Sequence, residues 1–135
     1  MPTILVIDDE LALRVMLEEL LTDEGYQVVA LGSGREALAR LDEVRPDLLL
    51  CDVMLPGLDG REVYRAVQAD PRWQALPVVL MSAGYQRLGR ADAPPAAFVR
   101  KPFLVQDLLA TLTQVLGGPP GAGHTPPTVS APGAG

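Results

Sequence analysis

The feature that most constrains this chain is a strict alternation between short apolar runs and longer stretches of helical period. Thr3 to Ile7 (TILVI) is a continuous, largely β-branched run bounded by charge, which suits a strand buried on both faces. From Glu10 to Glu24 the period changes: Leu13, Leu17, Leu20 and Leu21 recur at helical spacing, and Gly25 follows as a stop. Tyr26 to Leu31, Leu48 to Cys51, Pro77 to Met81 and the shorter Ala97 to Arg100 read as further strands. Between them, Ser33-Gly34-Arg35-Glu36 forms a capping box, in which the Ser33 hydroxyl and the Glu36 carboxylate can each satisfy an orphan amide. The single helix behind it carries Ala37, Leu38, Leu41 and Val44 on one side, and Pro46-Asp47 leads into the third strand. Asp59-Gly60-Arg61-Glu62 repeats the capping logic before a third helix that stops near Asp70-Pro71. Val105, Leu108, Leu109, Leu112 and Leu116 mark a last amphipathic helix closed by Gly117-Gly118.

Strands alternating with helices imply βαβ units, hence an α/β domain with an open parallel sheet and helices on both faces, over residues 3–116. A length of 135 residues fits one such domain. The last residues, Gly117 to Gly135, hold 6 Gly and 5 Pro without periodicity, too little apolar surface to offset their ordering entropy. Residues 1–116 are therefore expected to form the domain, and 117–135 a disordered tail or linker stub.

The net charge of −6 argues against a general nucleic-acid or anionic-membrane surface while favouring a cation site. No apolar run is long enough to span a bilayer. The one cysteine, Cys51, cannot form an internal disulfide and reads as a buried core thiol. Together with the lack of a signal peptide, this gives a cytoplasmic expectation.

In open α/β sheets the ligand edge lies beyond the carboxyl ends of the strands. Asp8-Asp9-Glu10 follow the first strand, Asp52 the third, Ser82 the fourth and Lys101 the fifth. Two carboxylates about 4 Å apart repel by about 4 kcal/mol at an effective dielectric near 20, so a cluster of them needs a cation. Oxygen ligands without His or Cys select a hard ion such as Mg²⁺. Alone, Asp8 and Asp9 are equally well explained as caps of the first helix, favoured by its dipole. Asp52 and Lys101 at the same edge are not explained that way.

The set Asp8-Asp9-Glu10, Asp52 with Met54-Leu55-Pro56-Gly57-Leu58-Asp59-Gly60, Ser82-Ala83 and Lys101-Pro102-Phe103 resembles the receiver domain of two-component response regulators. The resemblance, to the single-domain, chemotaxis-regulator-like form in particular, spans residues 3–116. It implies a flavodoxin-like strand order 2-1-3-4-5. It implies that Asp52 takes a phosphoryl group from a sensor histidine kinase or phosphotransfer protein. Asp9 and Asp52 would ligate Mg²⁺ directly, Asp8 through water, and Met54 through its backbone carbonyl. Lys101 would pair with Asp52 and then with the phosphate, Ser82 would bind the phosphate, and Phe98 would change rotamer with Ser82 on activation. The Lys101-Pro102 peptide is expected to be cis. Such a chain is not an enzyme on other substrates, catalysing only its own phosphorylation and dephosphorylation. Output is expected through a downstream protein target, with no direct nucleic-acid contact and no membrane insertion, and a phosphorylation-dependent homodimer is among the allowed arrangements. Met54 and Gly84 occupy the positions that tune phosphoryl lifetime, and neither orients a water, so a long lifetime is expected.

Other features compete or depart. GYQRLGRADAPPAA, from Gly84, leaves room for only a shortened fourth helix near Tyr85 to Asp92. Gly32-Ser33-Gly34-Arg35-Glu36-Ala37 fits a loose dinucleotide fingerprint, but it follows the second strand and leaves Asp8-Asp9 and Lys101-Pro102 unexplained. A pure scaffold that has lost phosphorylation is disfavoured by the retained Asp8, Asp9, Asp52, Ser82 and Lys101. Trp73 reads as a surface-packing anchor, and His124, in the tail, as a poor phosphodonor.

Overall fold

The structure, a computed structural model, describes residues 1–83 and 94–118. Its elements are β1 (Thr3–Ile7), α1 (Leu11–Asp23), β2 (Gln27–Leu31), α2 (Gly34–Ala39), α3 (Leu41–Val44), β3 (Leu48–Asp52), α4 (Gly60–Ala69), β4 (Val78–Ser82), β5 (Ala97–Arg100) and α5 (Val105–Leu116). The five strands form one parallel sheet in the order β2-β1-β3-β4-β5, the expected doubly wound arrangement.

The continuous apolar runs are explained by the two layers they separate. Side chains alternate along a strand, so Ile4 and Val6 of β1, Leu48 and Leu50 of β3, and Val79 and Met81 of β4 enter the layer filled by Leu17 and Leu21 of α1 and Leu108 and Leu112 of α5. Leu5 and Ile7, Leu49 and Cys51, and Val78 and Leu80 point the other way, onto Ala37 of α2, Leu41 of α3 and Val63, Tyr64 and Val67 of α4. Burying each such side chain contributes roughly 1.5–3 kcal/mol. Tyr26, expected to open the second strand, precedes β2, and its ring fills the α1/α5 layer at 2% exposure.

The stretch expected as one helix behind Ser33 is two short ones. At Arg40, with φ −104° and ψ 5°, the N–H is shared between the carbonyls of Glu36 and Ala37, and the chain re-enters a helical turn only at Leu41. The Arg40 guanidinium is held there by both carboxylate oxygens of Glu43, at 3.1 and 3.2 Å. Of the two capping boxes, only that of Asp59 is complete. Asp59 Oδ1 accepts from the Arg61 and Glu62 amides, and the Glu62 carboxylate accepts from the Asp59 amide at 3.0 Å. Ser33 provides the first half alone, its hydroxyl accepting from the Glu36 amide at 3.2 Å.

Trp73 anchors the turn after α4, packing against the α2–α4 layer while its indole donates to Asp42 Oδ1 at 3.1 Å. The shortened helix expected near 85–92 and His124 lie outside the described residues, as does all of the expected tail beyond 118.

Candidate functional site

Parallel register carries the chemistry to one edge. Ile7 lies beside Cys51, Asp52 beside Met81, and Ser82 beside Arg100, so β1, β3, β4 and β5 end within one residue of each other along the same edge. Asp52 is itself the last residue of β3 and Ser82 the last of β4. Asp8 and Lys101 each lie one residue past their strands.

Asp8 is fully buried and Asp52 nearly so, at 0% and 5% exposure, whereas Asp9 faces solvent. One carboxylate oxygen from each of the three lies within 4.8 Å of the others. The Lys101 ammonium donates to Asp8 Oδ2 at 2.9 Å and to Asp52 Oδ2 at 3.1 Å, and its own amide donates to the Ser82 carbonyl at 2.8 Å. The expected Lys101–Asp52 pair is thus joined by a Lys101–Asp8 pair that no spacing in the sequence announces. Asp8 Oδ1 accepts the amide of Glu10, the residue before the first helix, at 2.9 Å, and its other oxygen is turned to the lysine. No side chain caps the first helix, so the capping explanation of Asp8 does not hold.

Burial pushes the Asp52 carboxyl above the ordinary carboxylate range; the Lys101 hydrogen bond and charge pull it back, and the Asp8 charge reinforces the rise. Desolvation lowers the Lys101 ammonium, but the hydrogen bonds and charges of Asp8 and Asp52 outweigh it and raise the group. Next to the site, burial pushes the Cys51 thiol far up, and its Sγ donates to the Asp52 carbonyl at 3.3 Å, so this cysteine is a core thiol.

The loop after Asp52 is pinned from below. The Met54 amide donates to Asp52 Oδ1 at 3.3 Å, and the Leu55 and Gly60 amides both donate to the Val53 carbonyl, at 3.1 and 2.9 Å. Among the described residues the Met54 carbonyl accepts no hydrogen bond, while its side chain is 59% exposed. Gly57, at φ 75°, follows Pro56 in the left-handed conformation that glycine tolerates. Gly60 makes the closest approach: a Cβ there would lie 2.3 Å from the Asp52 carbonyl oxygen and 2.7 Å from Val53 Cα. The sequence places Gly60 in a helix cap and at the end of the Met54–Gly60 motif, neither of which announces this close approach.

Ser82 is buried at 4% exposure. Phe98, three residues before Lys101, is 49% exposed on β5 and stands beside Leu80. The Lys101-Pro102 peptide is cis. Gly34, in the dinucleotide-like stretch, has a packing role: a Cβ there would meet Val63 Cγ2 at 2.6 Å and the Leu58 carbonyl at 2.8 Å. One residue at the site edge was missed altogether: Arg14 reaches back to donate to the Asp8 carbonyl at 2.8 Å.

Three carboxylates with one ammonium leave negative charge uncompensated, and their hard oxygen donors fit a small divalent cation. An oxygen nucleophile beside a lysine and a hydroxyl, at the edge of a sheet, is suited to accepting a phosphoryl group.

The sequence model of the family described as response regulator receiver domain matches residues 4–113. The chain is 46% identical over 83 residues to the transcriptional regulatory protein AfsQ1 of Streptomyces coelicolor, covering 62% of this chain and 36% of that protein. It is 36% identical over 110 residues to the DNA-binding response regulator MtrA of Mycobacterium tuberculosis, covering 79% of this chain and 47% of the relative. The chain thus spans half or less of the length of these relatives. Among solved structures it is similar to the chemotaxis protein CheY4 of Vibrio cholerae, with a TM-score of 0.78 at 31% identity over 85% of this chain and 98% of that one. It is also similar to the receiver domain of the sensor histidine kinase PA1611 of Pseudomonas aeruginosa, described with a magnesium ion coordinated in its active-site cleft. There the TM-score is 0.77 at 26% identity, over 87% of this chain and 98% of that one.

Proposed function

Because the chain belongs to the response regulator receiver family, we propose that it works in two-component phosphorelay signalling by accepting a phosphoryl group on Asp52 from a histidine kinase or phosphotransfer protein. The observation that carries this reading is the Lys101 ammonium shared between Asp8 and Asp52, with the Asp9 carboxylate in the same cluster. Asp9, Asp52 and the Met54 carbonyl are the groups that would hold Mg²⁺, with Asp8 acting through water. The ion would supply neutralisation of charge on the transferred phosphoryl group.

The chain's own groups do the rest. An Asp52 carboxylate oxygen attacks phosphorus in line as the phosphorus–nitrogen bond of the donor phosphohistidine breaks, and the histidine nitrogen leaves with the electron pair. Lys101, bonded to Asp52 in the resting site, passes to a phosphate oxygen. Ser82, buried at the adjacent strand end, donates its hydroxyl to another. Gaining roughly 1.5 to 2 negative charges at this edge and drawing Ser82 inward gives Phe98, now half exposed, a reason to change rotamer. A protein target that reads this surface completes the signal, and a cytoplasmic location goes with the reading. At Met54 the solvent-exposed thioether offers nothing to orient a hydrolytic water, which favours a long-lived aspartyl phosphate.

Incubation with acetyl phosphate and Mg²⁺, followed by intact-mass measurement, tests the reading. A gain of one phosphoryl group in the native protein, absent from Asp52→Asn and suppressed by EDTA, is expected. Uptake that survives Asp52→Asn would place the acceptor elsewhere.

A further inference from the structure

We propose that Arg14 is a positioning residue for the cation-binding carboxylates, and that Gly32 is glycine in order to admit its guanidinium. This rests on reading Asp8, Asp9 and Asp52 as a divalent-cation site.

Arg14 lies in the first turn of α1, its amide bonded to the Glu10 carbonyl at 3.0 Å. Its side chain does not extend into solvent. Nη1 donates to the backbone carbonyl of Asp8, a member of the three-carboxylate cluster, at 2.8 Å, and among the described residues Arg14 forms no ion pair. That choice of a neutral acceptor completes the fixation of Asp8. The Asp8 amide is held by the Leu31 carbonyl at 3.1 Å, its carboxylate by the Glu10 amide and Lys101, and its carbonyl by Arg14.

Asp9 has no comparable support. It is exposed, and its carboxylate accepts no hydrogen bond from the described residues. Its place in the cluster comes from the backbone, and the peptide that leads into it is the Asp8–Asp9 unit whose oxygen Arg14 grips. An exposed carboxylate with free torsions is an entropically costly ligand, so fixing the preceding peptide plane narrows what Asp9 must give up on binding.

Gly32 supplies independent evidence. A Cβ built there would lie 2.7 Å from Arg14 Nη1 and 3.3 Å from Cζ. The φ of Gly32 is not in the left-handed region, so conformational freedom does not explain the glycine. Space for the guanidinium does.

The experiment measures Mg²⁺ binding by calorimetry on the full chain, without phosphodonor, for native protein, Arg14→Met, Arg14→Lys and Gly32→Ala. Each variant is also measured for its urea midpoint and for the amide chemical shifts of Asp9 and Glu10. Loss of a group that orients a metal ligand through a hydrogen bond weakens affinity by about 10–100-fold. Arg14→Met and Gly32→Ala should therefore bind Mg²⁺ at least about tenfold more weakly, with shifted Asp9 amides and near-native urea midpoints. Arg14→Lys, which keeps a donor, should recover part of the loss.

The sign separates positioning from plain charge, because deleting a cation beside three carboxylates would by itself tighten Mg²⁺ binding. Equal or tighter binding by Arg14→Met overturns the proposal, as does native affinity in Gly32→Ala. Should Arg14→Met fail to fold, Gly32→Ala still decides, since its methyl displaces only the far end of a flexible side chain and retains the charge. If native protein binds no Mg²⁺ while its amide spectrum is folded, the cation-site reading itself falls, an outcome distinct from a variant that binds as tightly as native.

Discussion

Asp52→Asn should make the metal-free protein more stable while removing its phosphoryl acceptor. In the resting site Asp52 faces Asp8 within 4.8 Å, a repulsion of roughly 3.5 kcal/mol at an effective dielectric of 20. Asp9 adds a second repulsion, reduced to roughly 1–2 kcal/mol because that carboxylate is exposed and screened. Against these stands Lys101 at 3.1 Å, an attraction of roughly 5 kcal/mol on the same scale. The pairwise terms nearly cancel, so the sign is set by the cost of holding a charge at 5% exposure, which after relaxation is still of the order of kcal/mol. Asparagine keeps an oxygen for Lys101 and the Met54 amide without that charge. A gain of about 1–3 kcal/mol follows, or roughly 4–12 °C in Tm for a domain of this size.

The assay is thermal denaturation in EDTA at pH 7. Burial raises the Asp52 carboxyl in the folded state, so the folded protein binds this proton more readily than the unfolded chain. The penalty is therefore fully present above the folded value, fades as pH falls through it, and is gone below the ordinary aspartate value near about 4. The gap between the two proteins should close over that window. With Mg²⁺ the gap should narrow: at a tenfold excess over Kd, native protein should gain about 1.4 kcal/mol, and the variant much less. An equal or lower Tm for Asp52→Asn in EDTA would refute the reasoning, because it would mean that Lys101 more than offsets the desolvation of Asp52.

Lys101→Met leaves Asp8, at 0% exposure, and Asp52 without their shared counter-cation and should cost about 3–5 kcal/mol in urea denaturation. Because the Lys101 ammonium is raised in the folded state, its stabilisation is fully present below the ordinary lysine value of about 10.4 and is lost as pH rises through the folded value, so native protein should lose more stability on that alkaline limb than Lys101→Met, in which only groups common to both, such as the buried Cys51 thiol, still contribute. Gly60→Ala forces a methyl to 2.3 Å from the Asp52 carbonyl oxygen; it should cost about 1–3 kcal/mol and slow phosphoryl uptake from acetyl phosphate, since the clash is with the acceptor's own backbone. Asp59→Ala removes both capping bonds of α4 and should cost about 1 kcal/mol in thermal denaturation, with native uptake. Desolvation works against the ionised Asp59, but the Glu62 and Arg61 interactions prevail and lower its pKa, so this difference should be present above about pH 4 and fade as pH falls further.

What was legible in the sequence was what depends on period and order. Runs such as TILVI and LLLC are apolar on both faces because the sheet is covered on both sides, and that pattern alone announces a parallel sheet. The residue after each run was marked as chemical by its polarity against an apolar background. The Asp59 cap could be read because its partners lie within one helical turn. The same local logic overstated the helix behind Ser33, where the shared hydrogen bond at Arg40 divides it in two.

Tertiary structure alone decided how those residues meet. Whether Lys101 would serve Asp52, Asp8 or both depends on the lateral order of β1, β3, β4 and β5, which brings together groups 93 and 49 residues apart. The grip of Arg14 on a backbone carbonyl and the closeness of Gly60 to Asp52 leave no mark in side-chain chemistry, because the atoms concerned are main chain. Sequence pattern records which residues are polar, apolar or small. Distances between strands, and the desolvation that raises the Asp52 carboxyl, arise only when the sheet closes around them.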